Sequence, residues 1–239
     1  VNLPDGFRLD HRALTASTNA DAAAAARAGA TAGLVVLADQ QTAGKGRQGR
    51  TWLAPPRCGL LVSVLRRPDV SARHAFRWTF LAGLALLDAL PDRGLWLKWP
   101  NDLYVGEQKL GGILCELETQ GDRVDSLVVG LGLNLRTPPG GWPEELQGRA
   151  VALDDPALRR DGLLHDWLSA LSKWEQKPVS ASLVEPLRSA MAPMLGRRVV
   201  IDGRDHWVEG LGDSGALAVV DGAGRRREVV AGDVHLGAL

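Results

Sequence analysis

Two apolar runs, residues 33–39 (GLVVLAD) and 59–65 (GLLVSVL), bracket the segment 44–51, GKGRQGRT. Each run has the length and branched side chains of a buried strand. Pro55 and Pro56 stand before the second run and rule out a long helix there. The segment is therefore a strand-to-strand loop, and this context limits the fold more than any other feature. GKGRQGRT fits G-x-G-x-x-G, and nearly fits G-x-x-x-x-G-K-[ST] with Arg50 in the place of lysine. Both motifs need the loop to open a helix whose free N–H groups hold phosphate. Asp69 lies 20 residues past Gly49, but no crossover helix separates the runs. It is not the ribose-binding acid of a βαβ unit, and neither motif applies.

The remaining pattern alternates helices and strands. STNADAAAAARAG predicts a helix: Thr18 and Asp21 have capping-box spacing, alanine fills the middle, and Gly29 stops it. Residues 71–90 predict a second helix, started by Ser71 and ended by Pro91. GLWLKW reads as a strand broken by Pro100. NDLYVGEQKLGGILCELE reads as a hairpin with a Gly-Glu tip, and SLVVGLGLNL as another apolar strand. Residues 137–148, rich in proline and glycine, form a loop. Helices are expected from Asp155 to about Glu175 and from Ser182 to Met191. From Leu195 onward, short apolar runs alternate with Gly-Asp turns every 8–10 residues, the cadence of a small β-barrel. The expected organisation is a large unit over residues 1–192 and a small one over 193–239.

Lys+Arg and Asp+Glu both number 28, so the formal net charge is zero. No global field draws in nucleic acid or an acidic membrane, and any basic site is local. No run approaches the ~18 apolar residues of a membrane span, and the first residues lack the pattern of a signal peptide. A cytoplasmic protein is expected. Cys58 and Cys115 read as core thiols of a reducing compartment. The five histidines are scattered; no set of residues has metal-ligand spacing or forms a Ser-His-Asp arrangement.

Four clusters remain as candidates for chemistry. Lys45, Arg47 and Arg50 place three cations within six residues, separated by glycines that let backbone approach a ligand. This is either a solvated surface loop or a lid for a phosphate, with Trp52 beside it to cover an apolar ligand. KWPNDLYVGEQKLGG puts Lys98, Asn101 and Asp102 at a turn and Lys109 across a hairpin, either as an ordinary surface lysine or, with two glycines inside the apolar strand, where another backbone or a ligand comes close. Glycines alternating in VGLGLNL strip one strand face of side chains, either for a close helix contact or as a wall for a flat ligand. Ser17, Thr18 and Asn19 either cap a helix or bind a small polar group.

In this order, STN, QQTAGKGRQGRTW, LKWPNDLYVGEQKLGGIL and VVGLGLNL resemble the biotin protein ligases. The resemblance covers residues 15–135, and the C-terminal segment stands where that family carries an SH3-like β-barrel. It implies an α+β fold: a mixed sheet covered by helices on one face, followed by the barrel. It implies an enzyme that joins biotin to ATP, with Mg²⁺, as biotinyl-5′-AMP. Biotin is then transferred to one lysine of a biotin carboxyl carrier protein. By resemblance, Ser17, Thr18, Asn19 and Gln41 bind the ureido end of biotin. Gly44, Lys45, Gly46 and Arg47 close over the adenylate beside Arg50 and Trp52. Lys109 holds the biotin carboxylate and the α-phosphate, and Gly112 and Gly130 line the pocket by backbone. Asn101 and Asn134 contact the nucleotide, and Trp142 either stacks on adenine or simply packs. Lys109, Arg47, Arg50 and Asp102 are the expected catalytic residues. Asp102 either positions and deprotonates the acceptor lysine or only caps a turn.

Lys45 departs from the family, which usually has arginine there; lysine keeps the charge and lacks the planar fork. Some members carry an N-terminal DNA-binding domain. About fifteen residues precede STN, so a monofunctional ligase rather than a repressor is expected. Lipoate or octanoate transferases, and a non-catalytic biotin sensor, are the rival readings. The sequence leaves the oligomeric state open, a homodimer included.

Overall fold

In the computed structural model the described residues are 1–53, 55–177, 183–212, 215–230, 232 and 234–236. Helix α1 (Thr18–Arg27) and strands β1 (Arg8–Arg12), β2 (Leu34–Ala38) and β3 (Gly59–Arg66) come first. Helix α2 (Arg77–Ala89) leads to β4 (Leu95–Lys98), β5 (Asp102–Val105), β6 (Gln108–Gln120) and β7 (Arg123–Asn134). Helices α3 (Arg160–Glu175) and α4 (Val184–Ala190) follow. Strands β1 to β7 form one mixed sheet in the order β1-β2-β3-β7-β6-β5-β4, in which β1 and β2 are parallel and the other neighbours antiparallel. The loop 44–51 joins β2 to its antiparallel neighbour β3, as the flanking runs require.

Strand parity explains how the helices are shared between the two faces. Side chains alternate across a strand. Val35, Val62, Val64, Val129 and Leu131 point to the face covered by α2 and α3. Val36, Leu65 and Val128, their neighbours in sequence, pack instead with Ala22 and Ala26 of α1. Helices on one face were expected; α1 lies on the other. Its alanines are small enough to bring the helix backbone close to the sheet, so α1 needs no large apolar stripe. On the other side α2 is buried almost all round and packs against α3, where Trp167 is fully buried and its indole donates to the Ala82 carbonyl at 3.0 Å.

Other expectations shift at the ends of elements. Ser17, not Thr18, caps α1, accepting from Ala20 N at 3.4 Å; Asp21 takes the Thr15 hydroxyl at 2.5 Å instead. Gly29 ends the helix region at φ +87°. Helix α2 begins at Arg77 because Ser71 bridges to Arg123 and its hydroxyl donates to Asp122 at 2.8 Å. Helix α3 begins at Arg160. Asp155 is spent on a local turn, accepting from Ala157 N, and its charge-assisted hydrogen bond from Arg93 holds its carboxyl below the usual range. The end of α4 agrees with the sequence, while its expected start at Ser182 lies outside the described residues. The polar strand β1 was not anticipated. The hairpin of β5 and β6 turns at Gly106 and Glu107 as expected.

The chain ends in β8 (Arg198–Ile201), β9 (Arg204–Leu211), β10 (Leu217–Asp221), β11 (Arg226–Val229) and β12 (His235–Leu236). They make a five-stranded antiparallel sheet, ordered β11-β10-β9-β8-β12. Its inner residues Val199, Val208 and Leu211 join the same apolar cluster as α2 and α4. Trp99, whose peptide bond to Pro100 is cis, also links the two sheets, its indole donating to the Gly215 carbonyl at 3.1 Å. Cys58 and Cys115 are free thiols; burial pushes Cys115 up to about 12, so it stays an inert thiol at neutral pH. Among the described residues no helix is long and apolar enough to cross a membrane.

Candidate functional site

The face that carries α1 is bare beyond the helix. Gly130 and Gly132 in β7 and Gly112 in β6 sit side by side there, Gly112 paired with Gly132. Where side chains would stand, a cavity of about 140 Å³ opens. A Cβ on Gly130 would fall well inside contact distance of Asn19 Oδ1, and one on Gly132 would meet the Trp52 ring at 2.7 Å. The close helix contact is present at Gly130, which admits the Asn19 side chain, while Gly132 admits the ring of Trp52.

One wall is polar. Ser17, Thr18, Asn19 and Ser63 are all at most 5 % exposed. Gln41 Oε1 accepts from Thr18 N at 2.7 Å and Thr18 Oγ1 at 3.0 Å. Ser63 Oγ lies 2.7 Å from Thr18 Oγ1 and 2.6 Å from Asn19 Oδ1. Its single proton satisfies one of them at a time. Asn19 Nδ2 donates to Glu116 at 2.7 Å and to the Leu114 carbonyl at 3.2 Å. Ser63 and Glu116 were missed in the sequence. The signal was there for Ser63, a lone hydroxyl in the apolar run LLVSVL.

The opposite wall is cationic. Segment 44–52 folds back on itself, with Trp52 N donating to the Gly44 carbonyl at 2.9 Å and Gly46 N to the Arg50 carbonyl at 2.7 Å. It is a closed strap, and it lays the Trp52 ring against Gly132 with Ala38 and Leu61 behind. Trp52 Nε1 is buried without a hydrogen-bond partner among the described residues. Arg47 Nη1 donates to Asn101 Oδ1 at 3.4 Å, and Asn101 is pinned by Nδ2 to the Ile113 carbonyl at 2.8 Å. Lys109 Nζ reaches Asp102 Oδ1 at 2.6 Å and stands 5.7 Å from the Trp52 ring centre.

The cavity thus gathers most of the residues singled out in the sequence, from Ser17 to Gly130, together with Lys45, Gly46, Arg47 and Arg50. Gly44, Asn134 and Trp142 do not line it. Gly44 shapes the strap, since a Cβ there would meet the Trp52 carbonyl at 2.6 Å. Asn134 is 8 % exposed, and its amide donates to the Val151 carbonyl at 3.0 Å. Trp142 lies in the following loop, where its carbonyl accepts from Gln147. A second, wider cleft of about 670 Å³ shares Arg50, Asn101, Asp102 and Lys109 with the first and continues to Lys98, Arg149 and Arg197. Among the described residues no group of three or more His, Cys, Asp or Glu could hold a metal ion.

The stripped strand gives a direct test. Gly130→Ala forces Asn19 out of a position fixed by three partners. Overpacking of this kind costs about 2 kcal/mol, which for a chain this size is a fall in Tm of about 4–8 °C. Thermal unfolding checks it; an unchanged Tm would mean that Asn19 swings aside freely.

Comparison with known proteins finds relatives over most of the chain. Residues 14–134 match the model of the Biotin/lipoate A/B protein ligase family. A biotin–[acetyl-CoA-carboxylase] ligase of Paracoccus denitrificans is 34 % identical, the match covering 94 % of this chain and 99 % of that protein. One of Mycobacterium tuberculosis is 37 % identical over 99 % of this chain and 92 % of its own length. The bifunctional ligase/repressor BirA of Bacillus subtilis is 33 % identical over 70 % of this chain, and the match spans only 54 % of that relative. Among solved structures, a biotin protein ligase from Aquifex aeolicus in complex with biotin and ATP superimposes with a TM-score of 0.78. It is 27 % identical, and the match covers 96 % of this chain and 98 % of that one.

Proposed function

The chain belongs to the biotin/lipoate A/B protein ligase family, and from that premise we propose that it activates biotin with ATP and passes it to a lysine of a biotin carboxyl carrier protein. One observation carries the proposal: cations from the strap and from β6 face a single cavity whose other wall is a buried hydrogen-bonding network. A carboxylate and a triphosphate repel one another. Lys109 and Arg47 offset that repulsion and the charge that builds on the phosphoryl oxygens during attack at the α-phosphate.

The roles follow from position. Thr18, Asn19 and Gln41 offer paired donors and acceptors to the ureido ring, with Ser17 beside them. The Trp52 ring and the glycine floor enclose the apolar rings and chain. Lys109 takes the carboxylate and the α-phosphate, Arg47 and Arg50 the phosphates, and Lys45 the mouth of the strap. Asn134 Oδ1 and Trp142 are the proposed adenine side. Asp102 is the acceptor of the proton that the incoming lysine must lose. Among the described residues it is also the one carboxylate lining the cavity. A lining with so few carboxylates suits Mg²⁺ that would arrive on the phosphates of ATP rather than in a protein cage. Magnesium supplies charge neutralisation there. The mixed anhydride formed in the first step hydrolyses in water, so the strap also serves to exclude solvent.

In the same proposal residues 193–239 form an SH3-like unit appended to a ligase domain over 1–192. The setting is the reducing cytoplasm, in which free Cys58 and Cys115 persist. Pyrophosphate release from ATP that requires biotin, followed by biotin on a carrier lysine, is the expected result. Lipoate offered in competition should not be incorporated; preferential use of lipoate, or no pyrophosphate at all, would overturn the reading.

A further inference from the structure

Asp102 has two lysines, and they are held differently. Lys109 Nζ is 2.6 Å from Oδ1, and its side chain is 34 % exposed toward the cavity. Lys98 Nζ is 3.8 Å from Oδ2, with only 9 % of its side chain exposed. Lys98 stands directly opposite Asp102 in the ladder of β4 and β5, and its ammonium lies 5.9 Å from the Tyr104 ring centre. Its place is set by the sheet. Lys109 stands beyond a register shift between β5 and β6, and its ammonium is at the cavity.

The ligase reading, on which this inference rests, asks Lys109 to bind substrate. Its bond to Asp102 must then break, just when a carboxylate is needed for the incoming amine. A carboxylate released from one partner turns toward another charge, and the cleft that Asp102 borders offers Arg149 and Arg197. We propose that Lys98 is a positioning residue for the transfer step: it holds Asp102 in place once Lys109 has turned to the adenylate.

Asp102 lies where the cavity and the wider cleft meet, so an acceptor lysine entering by the cleft reaches it before the adenylate. The acceptor ammonium gives one proton to Asp102. The freed amine attacks the biotinyl carbonyl, a C–N bond forms, and the C–O bond to phosphate breaks. The second proton leaves nitrogen as the intermediate collapses and goes to the departing phosphate of AMP. Tyr104 does not compete as a base, because burial, with the charge of Asp102 adding to it, pushes its phenol up to about 12.

The test compares full-length Lys98→Met, Lys98→Arg and Asp102→Asn with the parent. Three rates are read: biotin-dependent ATP–pyrophosphate exchange, single-turnover transfer to a carrier-domain lysine, and capture of the bound adenylate by hydroxylamine, an amine that is already neutral. Lys98→Met should leave exchange within about threefold and slow carrier transfer by about tenfold to a hundredfold. Hydroxylamine capture should be unaffected, and Lys98→Arg should restore most of the transfer rate. Asp102→Asn should slow transfer more than it slows exchange. The proposal fails if Lys98→Met slows exchange and transfer equally, if hydroxylamine capture falls along with transfer, or if transfer is unchanged. A parent that exchanges no pyrophosphate refutes the ligase reading itself, a result distinct from any of these.

Discussion

Lys109→Ala should lower biotin-dependent pyrophosphate release by about a thousandfold while the protein stays folded. Removal of one pre-positioned donor to developing charge costs about 10²–10³ in rate. Lys109 is asked to serve both the carboxylate nucleophile and the phosphorus under attack, which puts the loss at the upper end. The fold should survive because Lys109 is part-exposed and because Asp102 keeps Lys98 nearby. The measurement is pyrophosphate release at saturating biotin and ATP, with thermal unfolding as the control. Near-normal release would remove Lys109 from the chemistry, and the cavity would need another account.

Arg47→Gly should have its largest effect on retention of the intermediate. Arg47 ties the strap to Asn101, which is itself fixed to β6. Glycine removes that tie and one phosphate-facing cation, and it adds backbone freedom between Gly46 and Gly49. Biotinyl-adenylate should escape and acylate lysines on unrelated proteins, at least about tenfold more than with the parent enzyme. Labelling of a bystander such as serum albumin, with the free adenylate measured in an ultrafiltrate, reads this directly. Equal retention by variant and parent would mean that the strap does not seal the site.

Much of this site could be read from the sequence, because its residues sit at the ends of well-marked apolar runs. The bracketing strands excluded the helix-based phosphate motifs, and VGLGLNL showed its stripped face through period-two spacing alone. What escaped depended on pairing between distant segments. RLDHR has charge along one face and a single apolar residue, Leu9, on the other, so β1 is visible only beside β2. The side on which α1 packs depends on Val36, Leu65 and Val128 sharing parity, which is known only once β2, β3 and β7 are in register. Asn134, at the end of β7, gave no local sign that its amide would be taken by the Val151 carbonyl, 17 residues on. Glu116 gave no local sign of its bond to Asn19, 97 residues away.

The sheet is sandwiched on one side and half-clothed on the other. Past the end of α1, glycines and a single indole stand in for a missing layer, which biotin, under the proposed function, would complete. Substrate then acts as a removable piece of interior, and occupancy becomes a direct contribution to conformational resilience. At a hundred times its dissociation constant a ligand that binds only the folded form adds about 2.7 kcal/mol. Under the proposed function, the protein without biotin should accordingly unfold at a lower temperature than the occupied form.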